Sequence, residues 1–184
     1  MVVNGLPVCA PAQVWVQLGG RLAAEELVAI GDHIVGARRR VALATIEDLA
    51  EEAAQSGTAK GAAALRWAAG RIRWGADSRP ESLLRLAIVR EGLPEPLVNQ
   101  PVSLADGAVI HPDLVFVESR VALEYEGDGH RTDAVQWHRD IRRYEQMVSS
   151  GWGVLRVTSR DLFTDRAQLM LRVRNAIRSC EKRA

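Results

Sequence analysis

From His111 to His130 the chain reads HPDLVFVESRVALEYEGDGH, and this run constrains the fold more than any other stretch. Val, Leu and Phe fill it as a buried strand pair requires, yet Asp113, Glu124 and Glu126 sit among them. A charge carried into a sheet interior is costly unless it is paired or ligated. Strand parity puts Asp113 and Val115 on one face of their strand, and Glu124 and Glu126 on one face of the next. A turn at Ser119-Arg120 pairs Glu118 with Val121 and sets Asp113 opposite Glu126, with all three carboxylates on one side. A turn one residue longer at each end keeps that facing; an odd shift in the pairing destroys it. Opposed side chains lie about 5 Å apart and diagonal ones about 7–8 Å. That spacing suits two or three carboxylates sharing one hard cation such as Mg²⁺. Without a cation they repel and at least one pKa rises, unless the pair is an exposed edge with its acids matched to Arg.

The surrounding residues add candidates of lesser weight. His130 follows Gly127-Asp128-Gly129, where glycines permit a sharp turn back over the strand end. An imidazole there would serve as general base or acid. Glu81 completes Ser78-x-x-Glu81, a capping box, and capping is its simpler role. Asp140 shares a helical face with Trp137, Ile141 and Tyr144 and is expected to turn inward. His138 is expected in solvent beside Arg139 and Arg142, His111 beside Asp113, and His33 in a structural place. The four histidines contain no HxxxH or HExxH pair, which removes the usual zinc reading. Two cysteines, Cys9 and Cys180, are too few for a Cys-rich zinc site and read as free thiols of a cytoplasmic protein.

Ala-rich helical patterns occupy residues 1–76. Pro11 opens PAQVWVQL, and Gly19-Gly20 stop it. Leu27, Ile30, Ile34 and Val35 share a face of the next helix, and Thr45 with Asp48 forms a capping box for a third. Leu65, Ala68, Ala69 and Ile72 stripe a fourth. From residue 77 the pattern becomes α-β-β-β-α-β-α. Ser78, Pro80 and Gly92 bound the first helix, with Leu83, Leu84, Ala87 and Ile88 as its apolar face. Three runs, 97–104, 109–118 and 121–127, read as an antiparallel meander turning at Asp106-Gly107 and Ser119-Arg120. A helix over 132–151 delivers a fourth strand at 153–159, and a last helix over 159–180 breaks near Phe163-Thr164. The expected fold is α/β: a mixed four-stranded sheet flanked by helices over 77–184, preceded by an all-α region over 1–76.

Charge narrows the partners. The 24 basic and 23 acidic residues give a net +1, divided 8 and 8 before Ser78 and 16 and 15 from it onward. Neither part is basic enough to bind nucleic acid through a general field, so any DNA affinity must be local. No apolar run approaches the roughly 18–20 residues of a membrane span, and the N-terminus is expected to carry no signal peptide.

Glu81, Pro112-Asp113 and Glu124-Tyr125-Glu126, followed by a helix, resemble the PD-(D/E)xK nuclease superfamily. More closely, residues 78–162 are similar to the uncharacterised family related to very-short-patch-repair endonucleases. The resemblance implies a restriction-endonuclease-like core and Mg²⁺- or Mn²⁺-dependent hydrolysis of double-stranded DNA, with a place in DNA repair. It assigns metal binding to Asp113 and Glu124, with Glu81 as an accessory acid and His130 as the proton-moving group. Arg131, Arg139, Arg142 and Arg143 would hold the DNA backbone, and His111, Asp140 and Arg156 would stand behind the site. Glu126 occupies the position where that superfamily usually has Lys. The helical region resembles the middle part of larger actinobacterial proteins that often begin with an antitoxin-like winged helix, which implies a separate DNA-reading partner. A nuclease-like fold kept only for DNA binding or antitoxin-like regulation is the competing expectation.

Overall fold

The computed structural model describes residues 2–37, 40–127 and 134–181. The chain divides into two compact units, Met1–Leu83 and Leu84–Ala184. Among the described residues there are eight helices, and none is long and apolar enough to cross a membrane.

The first unit opens with β1 (Val2–Val3) and β2 (Leu6–Pro7), paired antiparallel across Asn4-Gly5. Both turn residues have positive φ, +49° and +80°, as the tightest hairpin turn requires. Four helices follow: α1 (Pro11–Leu18), α2 (Ala24–Ile34), α3 (Ile46–Gln55) and α4 (Ala62–Ala69). Their starts follow the expected chemistry. Pro11 opens α1, and Thr45 Oγ1 accepts from the Asp48 N–H at 3.0 Å while Asp48 Oδ2 accepts from the Thr45 N–H at 2.8 Å. Trp15, Leu27, Val28, Leu49 and Leu65 are fully or almost fully buried between them. The Trp15 indole N–H donates to the Leu27 carbonyl at 2.8 Å, so the largest core side chain leaves no polar atom unmet.

Close approach is the packing device of this unit. Gly19 lies against the Leu65 side chain and Gly31 against Ile72, where a Cβ would overlap either neighbour. Gly61, at the N-cap of α4 with φ +90°, lies against the Gly19 carbonyl. Asp32 is fully buried and accepts from the Arg73 N–H at 2.7 Å and the Ser82 hydroxyl at 2.6 Å.

The division between the units falls inside α5 (Arg79–Arg90), which ends at Gly92 as expected. Next come β3 (Leu97–Val98), β4 (Val102–Ser103), β5 (Val109–Ile110), β6 (Leu114–Phe116) and β7 (Val121–Glu126). The first two of the three expected strands are therefore each split in two. Asn99 takes φ +48°, and Pro101 and Pro112 carry no N–H for a ladder. β4 and β5 form their own hairpin around Asp106-Gly107, with Val102 opposite Ile110.

The main sheet has the order β3-β6-β7-β8, completed by β8 (Gly153–Thr158). β3 and β6 pair antiparallel, as do β6 and β7, whereas β7 and β8 run parallel. A parallel return needs a crossover, and α6 (Ala134–Ser149) supplies it. Met147 of α6 packs with Leu104 and Ala122, and Trp152 and Val154 close around them. α7 (Ser159–Phe163) and α8 (Arg166–Glu181) follow, separated at Thr164-Asp165 where the sequence predicts a break, and α8 lies against β7 and β8. The architecture is mixed α/β with a four-stranded mixed sheet.

Candidate active site on the β6–β7 pair

β7 changes character halfway along. Val121, Ala122 and Leu123 are completely buried, while Glu124, Tyr125 and Glu126 are half-buried. The acids therefore sit where the dry interior of the sheet opens to water, a placement that costs far less than full burial.

The register differs from the expected one by two residues. Phe116 pairs with Val121 and Leu114 with Leu123, because the hairpin turn spans four residues, 117–120. The Arg120 N–H bonds the Val117 carbonyl at 3.1 Å, and Arg120 adopts φ +48°. Continuing the ladder by one residue sets Asp113 level with Glu124, not with Glu126. The shift is even, so the expected facing survives it.

Asp113 is fixed by backbone chemistry. Pro112 leaves the sheet, and Asp113 Oδ2 accepts the Tyr125 N–H at 2.7 Å. The carboxylate thus takes over a position that a ladder carbonyl would otherwise fill. On the next strand, Arg156 is the register partner of Glu124. Paired residues of adjacent strands share a face, which places Arg156 beside the acids.

Two arginines answer the negative charge. Arg143 Nη2 lies 2.8 Å from Glu124 Oε1 and donates to the His111 carbonyl at 2.7 Å. Arg156 Nε lies 2.8 Å from Glu126 Oε1, and its guanidinium sits 5.9 Å from the Tyr144 ring centroid. Arg156 and Glu126 are 39% and 43% exposed, so their pair contributes only about 0–1 kcal/mol to stability. The Arg172 guanidinium holds the β8 carbonyl of Arg156 at 2.9 Å and Asp161 at 2.8 Å, which ties the strand end to α7 and α8.

Other expected site residues are placed differently. Arg143, expected on the DNA backbone, reaches Glu124 and the His111 carbonyl, with its side chain 36% exposed. His111 Nδ1 lies 3.1 Å from the Asn99 carbonyl and braces the β3 exit. In the first unit, Glu81 accepts from the Asp77 N–H at 2.9 Å and the Ser78 hydroxyl at 2.7 Å, so both its oxygens serve the helix cap. Asp140 is half-buried and Arg142 exposed on α6. His130 and Arg131 lie outside the described residues, as do the side chains of Arg139 and His138. His33 is exposed and lines a cavity of about 230 Å³ in the first unit, with Glu26 and Arg79 at its edge bonded to each other.

The donor set suits a hard cation in kind. Asp113, just before β6, and Glu124 on β7 offer carboxylate oxygens, each with a separate partner. Among the described residues no group of three or more His, Cys, Asp or Glu side chains forms a metal site. Mg²⁺ asks for less than that, because it is usually held by one or two carboxylates with water and substrate phosphate completing the shell. The two acids could be read from strand parity. The arginine partners could not, since Arg143 lies on the crossover helix and Arg156 on the strand it delivers. Thr158-x-x-Asp161, a capping box on α7, was legible in the sequence by the same rule as Thr45-x-x-Asp48.

No family model matches the chain, and no solved structure matches it. Two proteins of Mycobacterium tuberculosis do: uncharacterized protein MT2308 of strain CDC 1551 / Oshkosh and uncharacterized protein Rv2248 of strain ATCC 25618 / H37Rv. Each is 27% identical over 179 residues, covering 93% of this chain. The chain spans 62% of the length of these curated relatives.

Proposed function

We propose that the second unit is a metal-dependent endodeoxyribonuclease with a restriction-endonuclease-like core, of the type related to very-short-patch-repair enzymes. The observation that carries this reading is the alignment of Asp113 with Glu124 at the point where β7 opens to solvent. The sheet order supports it: three antiparallel neighbours and a fourth strand returned parallel by α6 are what the resemblance implies.

Asp113 and Glu124 would hold Mg²⁺ or Mn²⁺, and Asp113 reaches that task already oriented by the Tyr125 N–H. When bound, such an ion supplies Lewis acidity at the scissile phosphate and a more acidic water. The chain's own residues do the rest. Arg143 fixes the Glu124 carboxylate and offsets its charge, and the exposed Arg142 of α6 would meet a phosphate of double-stranded DNA. Water adds to phosphorus and gives up a proton, the bond to the leaving oxygen breaks, and that oxygen is protonated. A diester and water become a monoester and an alcohol.

Asp113→Ala is expected to abolish Mg²⁺- and Mn²⁺-dependent nicking of supercoiled plasmid while the thermal transition of the protein holds. Equal nicking by variant and parent would sink the assignment. The Glu124–Arg143 and Glu126–Arg156 pairs favour a second reading, in which the acids are satisfied by arginine alone and the unit only binds DNA. Duplex binding that is indifferent to EDTA, with no nicking under either metal, would select it.

A further inference from the structure

The acidic site has an unbalanced charge. Among the described residues, Asp113, Glu124 and Glu126 bring three negative charges, and Arg143 and Arg156 bring two positive ones. Attack on a phosphodiester adds negative charge to the phosphoryl oxygens in the transition state. Preorganised donors aimed at such charge are worth about 10²–10³-fold each in rate. Of the described residues, two arginines stand beside the acids, and they differ in how far they are already committed.

Arg143 is committed. Its Nη2 serves both the Glu124 carboxylate and the His111 carbonyl, so moving it would release a strand end and an acid together. Arg156 is held at one corner only. Its Nε faces Glu126, its guanidinium lies towards the Tyr144 ring, and neither terminal amino group has a hydrogen-bond partner among the described residues. Its backbone is anchored from both sides, by register with Glu124 and by Arg172 on its carbonyl. The side chain is thus aimed without being used up. Arginine suits this post, because its planar fork can bind a carboxylate at Nε and present its remaining N–H groups elsewhere.

We infer that Arg156 is a catalytic residue whose terminal N–H groups contact the scissile phosphate, and that Glu126 is its positioning residue. This rests on the nuclease reading and deepens it. Glu126 then needs no place among the metal ligands. It keeps the guanidinium on the acidic face through Nε, with the Tyr144 ring centroid 5.9 Å away. In the hydrolysis, the charge that builds on the phosphoryl oxygens as water adds is met by Arg156, and it disperses when the leaving oxygen departs with a proton.

The test compares parent, Arg156→Gln, Arg156→Lys, Glu126→Gln and the Glu126→Gln/Arg156→Gln double variant. Two measurements are made on the full chain: single-turnover plasmid nicking in Mg²⁺ or Mn²⁺, and fluorescence-anisotropy binding of a labelled duplex in EDTA. Arg156→Gln is expected to slow nicking by about 10²–10³-fold while the duplex Kd rises less than about fivefold, since one phosphate contact among several is lost. Arg156→Lys, which keeps the charge without the fork, is expected to fall between. Glu126→Gln is expected to slow nicking about tenfold alone and to add nothing in the Arg156→Gln background, the non-additivity of residues acting as one unit. Should Arg156→Gln fail to fold, the ordering of Arg156→Lys and Glu126→Gln decides the matter. Nicking by Arg156→Gln at the parental rate overturns the role of Arg156 and leaves the nuclease reading standing, and so does a loss matched by an equal rise in Kd. No nicking by the parent under either metal overturns both.

Discussion

Asp32 in the helical unit and Glu124 in the sheet unit are both acids carried off the surface, and they differ in how far they are sealed. Asp32 is fully buried, and its donors include the Arg73 N–H and the Ser82 hydroxyl. Glu124 is half-buried at an opening and meets a guanidinium that itself faces water. Donors from separate segments around a sealed carboxylate tie those segments together. A cation beside an open carboxylate balances charge while leaving the group within reach of a ligand. The difference separates an acid that maintains a fold from one equipped to act, and it extends to the units around them. The helical unit relies on glycines pressed against neighbours, whereas the sheet unit relies on ladders and a buried strand.

The sharpest way to break the comparison is Gly61→Ala. The residue has φ +90°, and a Cβ would strike the Gly19 carbonyl, which is backbone and has no rotamer to give. A loss of about 4 kcal/mol or more is expected in urea unfolding of the helical unit. A loss under about 1 kcal/mol would show that close approach is not what holds it. Asp32→Ala comes next. It strands at least the Arg73 N–H and the buried Ser82 hydroxyl and is expected to cost about 3 kcal/mol.

Smaller effects sharpen the sheet side. Burial pushes the Asp161 carboxyl up, but the Thr158 hydroxyl and N–H together with Arg172 outweigh it and hold the group below its ordinary 3.8. A depressed folded pKa adds stability that is complete above 3.8 and disappears as pH falls through the lower folded value. Asp161→Asn is therefore expected to cost about 1 kcal/mol at neutral pH, with the gap to the parent closing as pH falls below 3.8. Glu126→Gln is expected to change stability least, by about 0.5 kcal/mol. If it matched Asp32→Ala in thermal unfolding, the distinction between sealed and open acids would fail.

Sequence reasoning reached these two units unevenly. The helices were legible because their ends are local chemistry: Pro11, the Thr45–Asp48 box and Gly92 act within a turn of where they stand. The facing of the acids was legible because parity survives any even shift. The register itself was not. Its two-residue shift comes from Arg120 in a left-handed conformation, a backbone state that non-glycine residues seldom advertise. The splitting of residues 97–104 and 109–118 was written in Pro101 and Pro112, but an apolar run around a proline still looks like one strand. Asn4-Gly5, a strong hairpin signal, stood in plain view beside helical patterns. The ion pairs with Arg143 and Arg156 depend on a crossover, and nothing within reach of either arginine in sequence announces them.

The four-residue turn at 117–120 has a consequence for how this protein can change over generations. Most of its side chains are at the surface, so substitutions there are cheap. Its length is another matter. Adding or deleting one residue would force β6 to slip against β7 by an odd step or the turn to bulge, and a slip would send Asp113 to the face opposite Glu124. Descendants of this chain can respell the turn freely, but they inherit its count.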